Sequence, residues 1–133
     1  MRYFVTGATG FIGGRLVREL RAAGHEVAVL VRDPARARDL ETLGCELHAG
    51  DITAKDTLRA PMHGTDGIFH LAAWYEIGTR DQSRAEFVNV QGTRNVLETM
   101  RDLGIARGVY TSSVAVFSDT GGKLPDESYR RGG

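Results

Sequence analysis

Gly7, Gly10 and Gly13 fall three residues apart, directly after Tyr3-Phe4-Val5-Thr6 and directly before an amphipathic run. The chemistry that this spacing supports is recognition of an anion by main-chain N–H groups. Gly7 would permit a tight turn, and Gly10 would let backbone approach a pyrophosphate. Gly13 would let the first helical turn lie close against the strands. The N-terminal amides of a helix have no intrahelical partners, and the helix dipole adds roughly half a positive charge there. An anionic diphosphate suits that spot. The competing reading is a plain glycine-rich turn from strand to helix.

The flanking elements decide between them. Tyr3 to Thr6 is apolar and β-branched, as a buried strand requires. The helix that follows carries Ile12, Leu16, Leu20 and Ala23 at helical spacing, with Phe11 and Val17 widening the stripe. Arg15, Arg18, Glu19 and Arg21 take the other side. Gly24 stands where a left-handed C-cap belongs, and a second strand, Glu26 to Val31, starts after it. Strand, glycine turn, helix and strand form a dinucleotide-binding βαβ unit. The end of its second strand faces the adenine ribose. An acidic residue there binds the ribose hydroxyls of NAD, whereas an arginine pairs with the 2′-phosphate of NADP. Arg32 stands first at that point and Arg36 one turn later, and a guanidinium offers a planar fork to phosphate oxygens. NADP is therefore expected. NAD stays open through Asp33, whose carboxylate a small backbone shift would bring onto the ribose. Arg38 reads as part of a solvated helix face.

Thr6-Gly7-Ala8-Thr9-Gly10-Phe11-Ile12-Gly13 resembles the cofactor loop of extended short-chain dehydrogenase/reductases, the epimerase/dehydratase/reductase superfamily. The resemblance implies cofactor contacts at Gly7, Thr9, Gly10, Phe11, Ile12 and Gly13, and it continues along nearly all of the chain. After a helix from Ala35 to Leu43 and a third strand from Cys45 to Ala49 comes Gly50-Asp51-Ile52-Thr53. The family pattern implies that Asp51 accepts from the adenine amine and Ile52 packs on the ring. Thr53 reads as the N-cap of a helix from Ala54 to about Ala60, which would leave Asp51 free. Pro61 and Gly64 would break that helix.

Gly67 to Ala73 reads as a fourth strand leaving the sheet. Its Leu71-Ala72-Ala73 resembles the family's small-residue turn beneath the nicotinamide-side ribose. Trp74 and Tyr75 follow, and they either flank a substrate or cover the rim of the core. A long helix is expected from about Asp81 to Leu103, with Phe87, Val90, Val96, Leu97, Met100 and Leu103 on its apolar face. Within it, Asn89-Val90-Gln91-Gly92-Thr93-Arg94-Asn95 matches the family's N-V-x-G-T-x-N pattern. An interior Gly costs a helix about 1 kcal/mol, which a close approach would justify. The pattern implies that Asn89 holds a water on a proton path; the alternative is an Asn satisfying nearby backbone. Arg94 and Asn95 carry no assignable role.

A fifth strand is expected from Arg107 to Ser112. The segment from Thr111 to Phe117 resembles the family's T/S-S-S-x-x-V-Y/F pattern, which implies cofactor contact at Thr111 and a substrate-polarising hydroxyl at Ser113, with Ser112 as the fallback. The family's Tyr and Lys four residues apart are absent. Four residues beyond Tyr3, Tyr75, Tyr110 and Tyr129 lie Gly7, Thr79, Val114 and Gly133, and the lysines are Lys55 and Lys123. Asp126-Glu127-Ser128-Tyr129 resembles a loop that precedes the missing helix. The 133 residues are therefore expected to form one NAD(P)-binding domain, the first half of such a protein.

The expected fold is a Rossmann-type doubly wound α/β domain of three layers with parallel strand order 3-2-1-4-5. The implied activity is hydride transfer between nicotinamide and a carbonyl or alcohol of a small molecule or nucleotide sugar. The rival is a non-catalytic nucleotide-binding sensor or interaction module. With 17 basic and 17 acidic residues, scattered rather than blocked, neither nucleic acid nor an anionic membrane is an expected partner. No apolar run approaches a bilayer span, Met1-Arg2 leads straight into a strand, and Cys45 is the only cysteine. These features read as a cytoplasmic chain with no disulfide. His48 and His63 have no ligand partners at useful spacing, so no metal is expected. The resemblance also implies a homodimer, paired through the long helix and its successor.

Overall fold

Neighbouring residues on each strand point to opposite sides of a sheet, and both sides here are apolar. Phe4, Ala28, Leu30 and Ile68 enter one core, while Val5, Val27, Val29 and Val31 enter another. Strands buried on both faces need helices on both faces. A computed structural model, describing residues 1–74, 80–117 and 120–130, shows that arrangement. Five parallel strands, β1 (Arg2–Thr6), β2 (Glu26–Val31), β3 (Glu46–Ala49), β4 (Gly67–His70) and β5 (Gly108–Tyr110), lie in the order β3-β2-β1-β4-β5. Helices α1 (Phe11–Ala22) and α2 (Arg38–Thr42) supply Val17 and Leu40 to one core. Helices α3 (Arg59–Met62) and α5 (Gly92–Asp102) supply Met62 and Val96 to the other.

Several expected elements are shorter or broken. The helix expected from Ala35 to Leu43 divides into a 3-10 turn, Pro34–Arg36, and α2, with Ala37 between them. Thr53 does not cap a helix. Its N–H and hydroxyl both donate to Asp51 Oδ1, at 2.9 and 2.8 Å, so Asp51 closes the turn that was expected to leave it free. Pro61 lies inside the four-residue α3 rather than before its break; an early helical position needs no N–H donor there. The fourth and fifth strands end at His70 and Tyr110, ahead of their expected ends. The long helix begins as α4 (Ser83–Glu86), widens into a π turn over Phe87–Gln91 and continues as α5.

The apolar faces also differ from expectation. On α1, Val17 is buried, but Phe11 is 97% exposed and Ile12 60%. Phe87, Val90 and Leu97 are exposed, and Gly92, Asn95, Val96 and Thr99 take the inner side of α5. Val109 and Tyr110 on the edge strand β5 are about half exposed, as expected for a sheet that stops there.

Two glycines set how the first loop packs. Gly7 has φ +77°, and a Cβ there would lie 2.7 Å from Ala72 N. A Cβ on Gly13 would lie 1.9 Å from Gly7 O. On the adjacent Gly14, a Cβ would make only ordinary contacts, at 3.4 Å from Ala8 O. Gly13→Ala is therefore expected to destabilise the fold by about 3 kcal/mol or more. Gly14→Ala should be neutral or stabilise by about 0.5–1 kcal/mol, since an interior helical Gly is replaced by a better helix former. Urea denaturation of both variants checks the contrast, and equal effects would contradict the packing described.

Candidate functional site

Because all five strands run the same way, their C-terminal ends gather on one edge of the sheet. The residues singled out in the sequence follow those ends. Gly7 to Gly13 follow β1, Arg32 and Arg36 follow β2, and Asp51 and Ile52 follow β3. Leu71, Ala72 and Ala73 follow β4, while Thr111 and Ser113 follow β5. In doubly wound sheets, ligands bind at this edge.

Gly10 occupies the N-cap of α1 and offers no side chain to it. Its own N–H donates to Gly7 O at 3.1 Å, and the first intrahelical bond runs from Gly14 N–H to Gly10 O at 2.8 Å. The N–H groups of Phe11, Ile12 and Gly13 precede that bond and so lack intrahelical acceptors. No side chain caps the helix and no acidic residue stands in its first turn, leaving the positive end of the dipole unneutralised. A Cβ on Gly10 would meet Gly7 O at 3.3 Å and nothing else within 4 Å, so space opens in that direction. Bare amides, a positive field and open space fit a diphosphate. A hollow of about 670 Å³ flanks this turn, its lining including Thr9, Gly10, Phe11, Arg15, Arg18 and Asp39.

On the β4 side, the wall against Gly7 is the main chain of Leu71 and Ala72. Both N–H groups donate to Thr6 Oγ1 at 3.1 Å. The same hydroxyl lies 2.6 Å from His70 Nδ1, and His70 Nε2 lies 2.9 Å from Thr93 Oγ1. With both lone pairs of Thr6 taken, its proton points at Nδ1. His70 is then the Nε2–H tautomer and donates to Thr93. The ring is fully buried, and that burial pushes its pKa down to about 4. Sequence reading passed over His70 as one more strand residue. The available signal was a Thr and a His at register-matched ends of neighbouring strands.

Around β3, Asp51 is half-buried, with Oδ1 engaged by Thr53. Ile52 is only 5% exposed and its side chain lies beneath Gly92, where a Cβ would come within 2.6 Å of Ile52 Cδ1. The close approach that justifies the interior glycine is therefore to Ile52, and little of that side chain remains for a ring contact. Asn95, to which no role had been assigned, donates to Ile52 O at 2.9 Å from beneath α5. Asn89 uses both ends of its amide on Trp74: Oδ1 accepts from Trp74 N–H at 2.8 Å and Nδ2 donates to Trp74 O at 2.9 Å. This is the backbone-satisfying role, and it leaves Asn89 one N–H and one lone pair for anything further.

Arg32 is exposed, and Arg36 sits 4.0 Å from Asp33. Asp33 itself accepts from Ala35 N–H at 3.1 Å, capping the 3-10 turn. Thr111 and Ser113 are exposed; the carbonyl of Ser113 accepts from Val116 N–H at 3.1 Å in the turn Val114–Phe117. Trp74 is half-buried with the Arg84 guanidinium 5.7 Å from its ring, and Tyr75 lies outside the described residues. Among the described residues, no group of three or more His, Cys, Asp or Glu could hold a metal ion, and no helix is long and apolar enough to cross a membrane.

The model of the NAD dependent epimerase/dehydratase family matches residues 3–132. A Synechocystis sp. protein named for a dihydroflavonol 4-reductase is 43% identical over 129 residues, covering 96% of this chain and 37% of the relative. A UDP-glucose 4-epimerase of Streptomyces lividans is 32% identical, covering 89% of this chain and 37% of the relative. A short-chain dehydrogenase/reductase superfamily protein from Agrobacterium tumefaciens, solved with bound NAD, superposes with a TM-score of 0.76 at 29% identity. That likeness covers 89% of this chain and 34% of the solved one. The chain thus spans little more than a third of the length of these relatives.

The buried imidazole sets a pH dependence. In the unfolded chain a His protonates near 6.5, whereas His70 stays neutral down to about 4. Between those values the unfolded state binds more protons, so stability falls as pH drops. The expected loss is about 3 kcal/mol across the window, and His70→Asn should flatten it. Glu46, held low by its hydrogen bond from Arg2, adds its own loss only below the ordinary Glu value of 4.5. Urea midpoints measured at intervals from pH 7 to 4 test this; an unchanged slope in H70N would contradict it.

Proposed function

The chain belongs to the NAD-dependent epimerase/dehydratase family, and from that premise we propose that its sheet edge binds NADP, as the cofactor half of an oxidoreductase or epimerase acting on a carbonyl or alcohol of a small molecule. The uncapped first turn of α1 carries this reading. The main chain from Thr9 to Gly13 would hold the diphosphate, with Gly7 shaping the turn. Arg32, joined by Arg36, would hold the 2′-phosphate. Asp33 is occupied as a cap and as a neighbour of Arg36, which supports the phosphate reading over the ribose-diol one. Asp51 and the main chain at Ile52 would border the adenine, and Leu71, Ala72, Ala73 and Thr111 the nicotinamide-side ribose.

A bound nicotinamide supplies the hydride donor or acceptor. Ser113, at the end of β5, would donate a hydrogen bond to the reacting oxygen and so orient and polarise it. Asn89 would keep Trp74 in place on the rim of the site. The relatives named for a reductase and for an epimerase differ in substrate, so the substrate class stays broad. A second reading is nucleotide binding without turnover, which a Tyr with a Lys four residues on, in a longer chain, would rule against. The two readings share the nucleotide and separate on whether a longer chain turns it over.

Calorimetric titration with NADPH and NADH tests the shared part. NADPH should bind more tightly, and Arg32→Ala should cost NADPH about tenfold in affinity while changing NADH by less than about twofold, as for loss of one charge-assisted hydrogen bond. Tighter NADH binding, or equal losses for both, would overturn the 2′-phosphate assignment.

A further inference from the structure

The bonds from Thr93 through His70 and Thr6 to the N–H groups of Leu71 and Ala72 form one chain across α5, β4 and β1. We propose that His70 is a positioning residue: it fixes the direction of the Thr6 hydroxyl and thereby holds the Leu71–Ala72 main chain against Gly7. That contact sets one wall of the cleft after β1, since a Cβ on Gly7 would lie 2.7 Å from Ala72 N. The purpose assigned to the wall rests on the nucleotide reading; the bond chain does not.

Donors and acceptors around Thr6 fit together in one way. Thr6 Oγ1 has two lone pairs and one proton. Leu71 and Ala72 take the lone pairs, so the third neighbour, Nδ1, must accept. A proton on Nδ1 would compete for one of those lone pairs and leave a main-chain N–H without its acceptor, at a position where such a loss is costly. Thr93 holds the ring in the required state by accepting from Nε2–H. The other neighbours cannot set the tautomer. Tyr110 stacks on the ring at 5.5 Å and 17°, and Ile68, Leu97, Met100 and Val109 share the small hollow beside it. Among the described residues, Tyr110 is the one titratable side chain with a contact to the ring beyond the two threonines, and burial alone accounts for the lowered basicity of His70. A histidine that only filled space would not need both nitrogens bonded to hydroxyls, one of which ends on the cleft wall.

The test uses the 133-residue chain with His70→Phe, which keeps the ring stacked, and His70→Asn, whose Oδ1 takes the place of Nδ1 as acceptor. Nitrogen NMR of the wild-type imidazole reads the tautomer with no variant required. Amide exchange at Leu71 and Ala72, against Val5 as the core reference, reads the wall. NADPH titration reads the site. The Nε2–H tautomer is expected. H70F should speed exchange at Leu71 and Ala72 about tenfold more than at Val5 and weaken NADPH about tenfold, with H70N restoring both to within about twofold. An Nδ1–H tautomer, unchanged exchange, or uniform loosening that includes Val5 would overturn the positioning role. If exchange responds as expected but the wild type binds neither NADPH nor NADH, the positioning role stands and the nucleotide reading falls. If NADPH binds and neither exchange nor affinity responds to H70F, the positioning role falls alone.

Discussion

The first turn of α1 lies so close to the loop behind it that no side chain fits between them: a methyl group on Gly13 would sit 1.9 Å from Gly7 O. The approach needs glycine, and its consequence is electrostatic as well as steric. With Gly10 at the N-cap, three successive N–H groups and the positive end of the helix dipole have neither a side-chain cap nor an acidic residue in the first turn. An N-cap Ser, Thr, Asp or Asn would contribute about 1 kcal/mol. The chain uses such a cap at Asp33, where it closes the turn after β2, and omits it at α1. A helix end left bare at the C-terminal edge of a parallel sheet is stabilised by a bound anion.

The remaining polar groups serve to hold the loops around that bare end. Among the described residues, every buried side-chain nitrogen or oxygen has a hydrogen-bond partner. The partners are informative: Thr6 reaches Leu71 and Ala72, Asn89 reaches Trp74, and Asn95 reaches Ile52, in each case at main-chain atoms. Each is a loop after a strand. The helical segment bearing Asn89, Thr93 and Asn95 therefore covers the sheet and also fixes loops after β3 and β4. Satisfied buried polar groups of this kind specify a single arrangement, because an orphaned one would cost about 1–3 kcal/mol.

This division explains what was legible in the sequence. The strands and the glycine turn rest on local signals, namely short apolar β-branched runs and three glycines at fixed spacing, whereas the strand order followed from the doubly wound fold type and is the one the sheet has. Helix faces were less legible. Phe11 and Ile12 continue the apolar stripe of α1 but lie at its first turn, beyond the core. On α5, hydropathy favours Leu97 over Asn95 and Thr99, yet the inner face meets a carbonyl and a close side chain, so small and polar residues take it. Asp51 and Thr53 are both capping types, and the sequence alone does not say which accepts from which. His70 was invisible because its partner Thr6 is 64 residues away, brought alongside by strand pairing.

The proposed main-chain nucleotide site rests on the family match, the sheet order and the bare helix end, in a stretch that covers 37% of its Synechocystis relative. The most direct measurement is a nitrogen–proton NMR titration of the 133-residue chain with ADP-ribose, set against adenosine, which lacks the phosphates. ADP-ribose should produce saturable shifts concentrated at the amides of Thr9 to Gly13, and adenosine should leave those amides in place. No saturation at millimolar ADP-ribose, or the same shifts from adenosine, would contradict an anion seat at this turn.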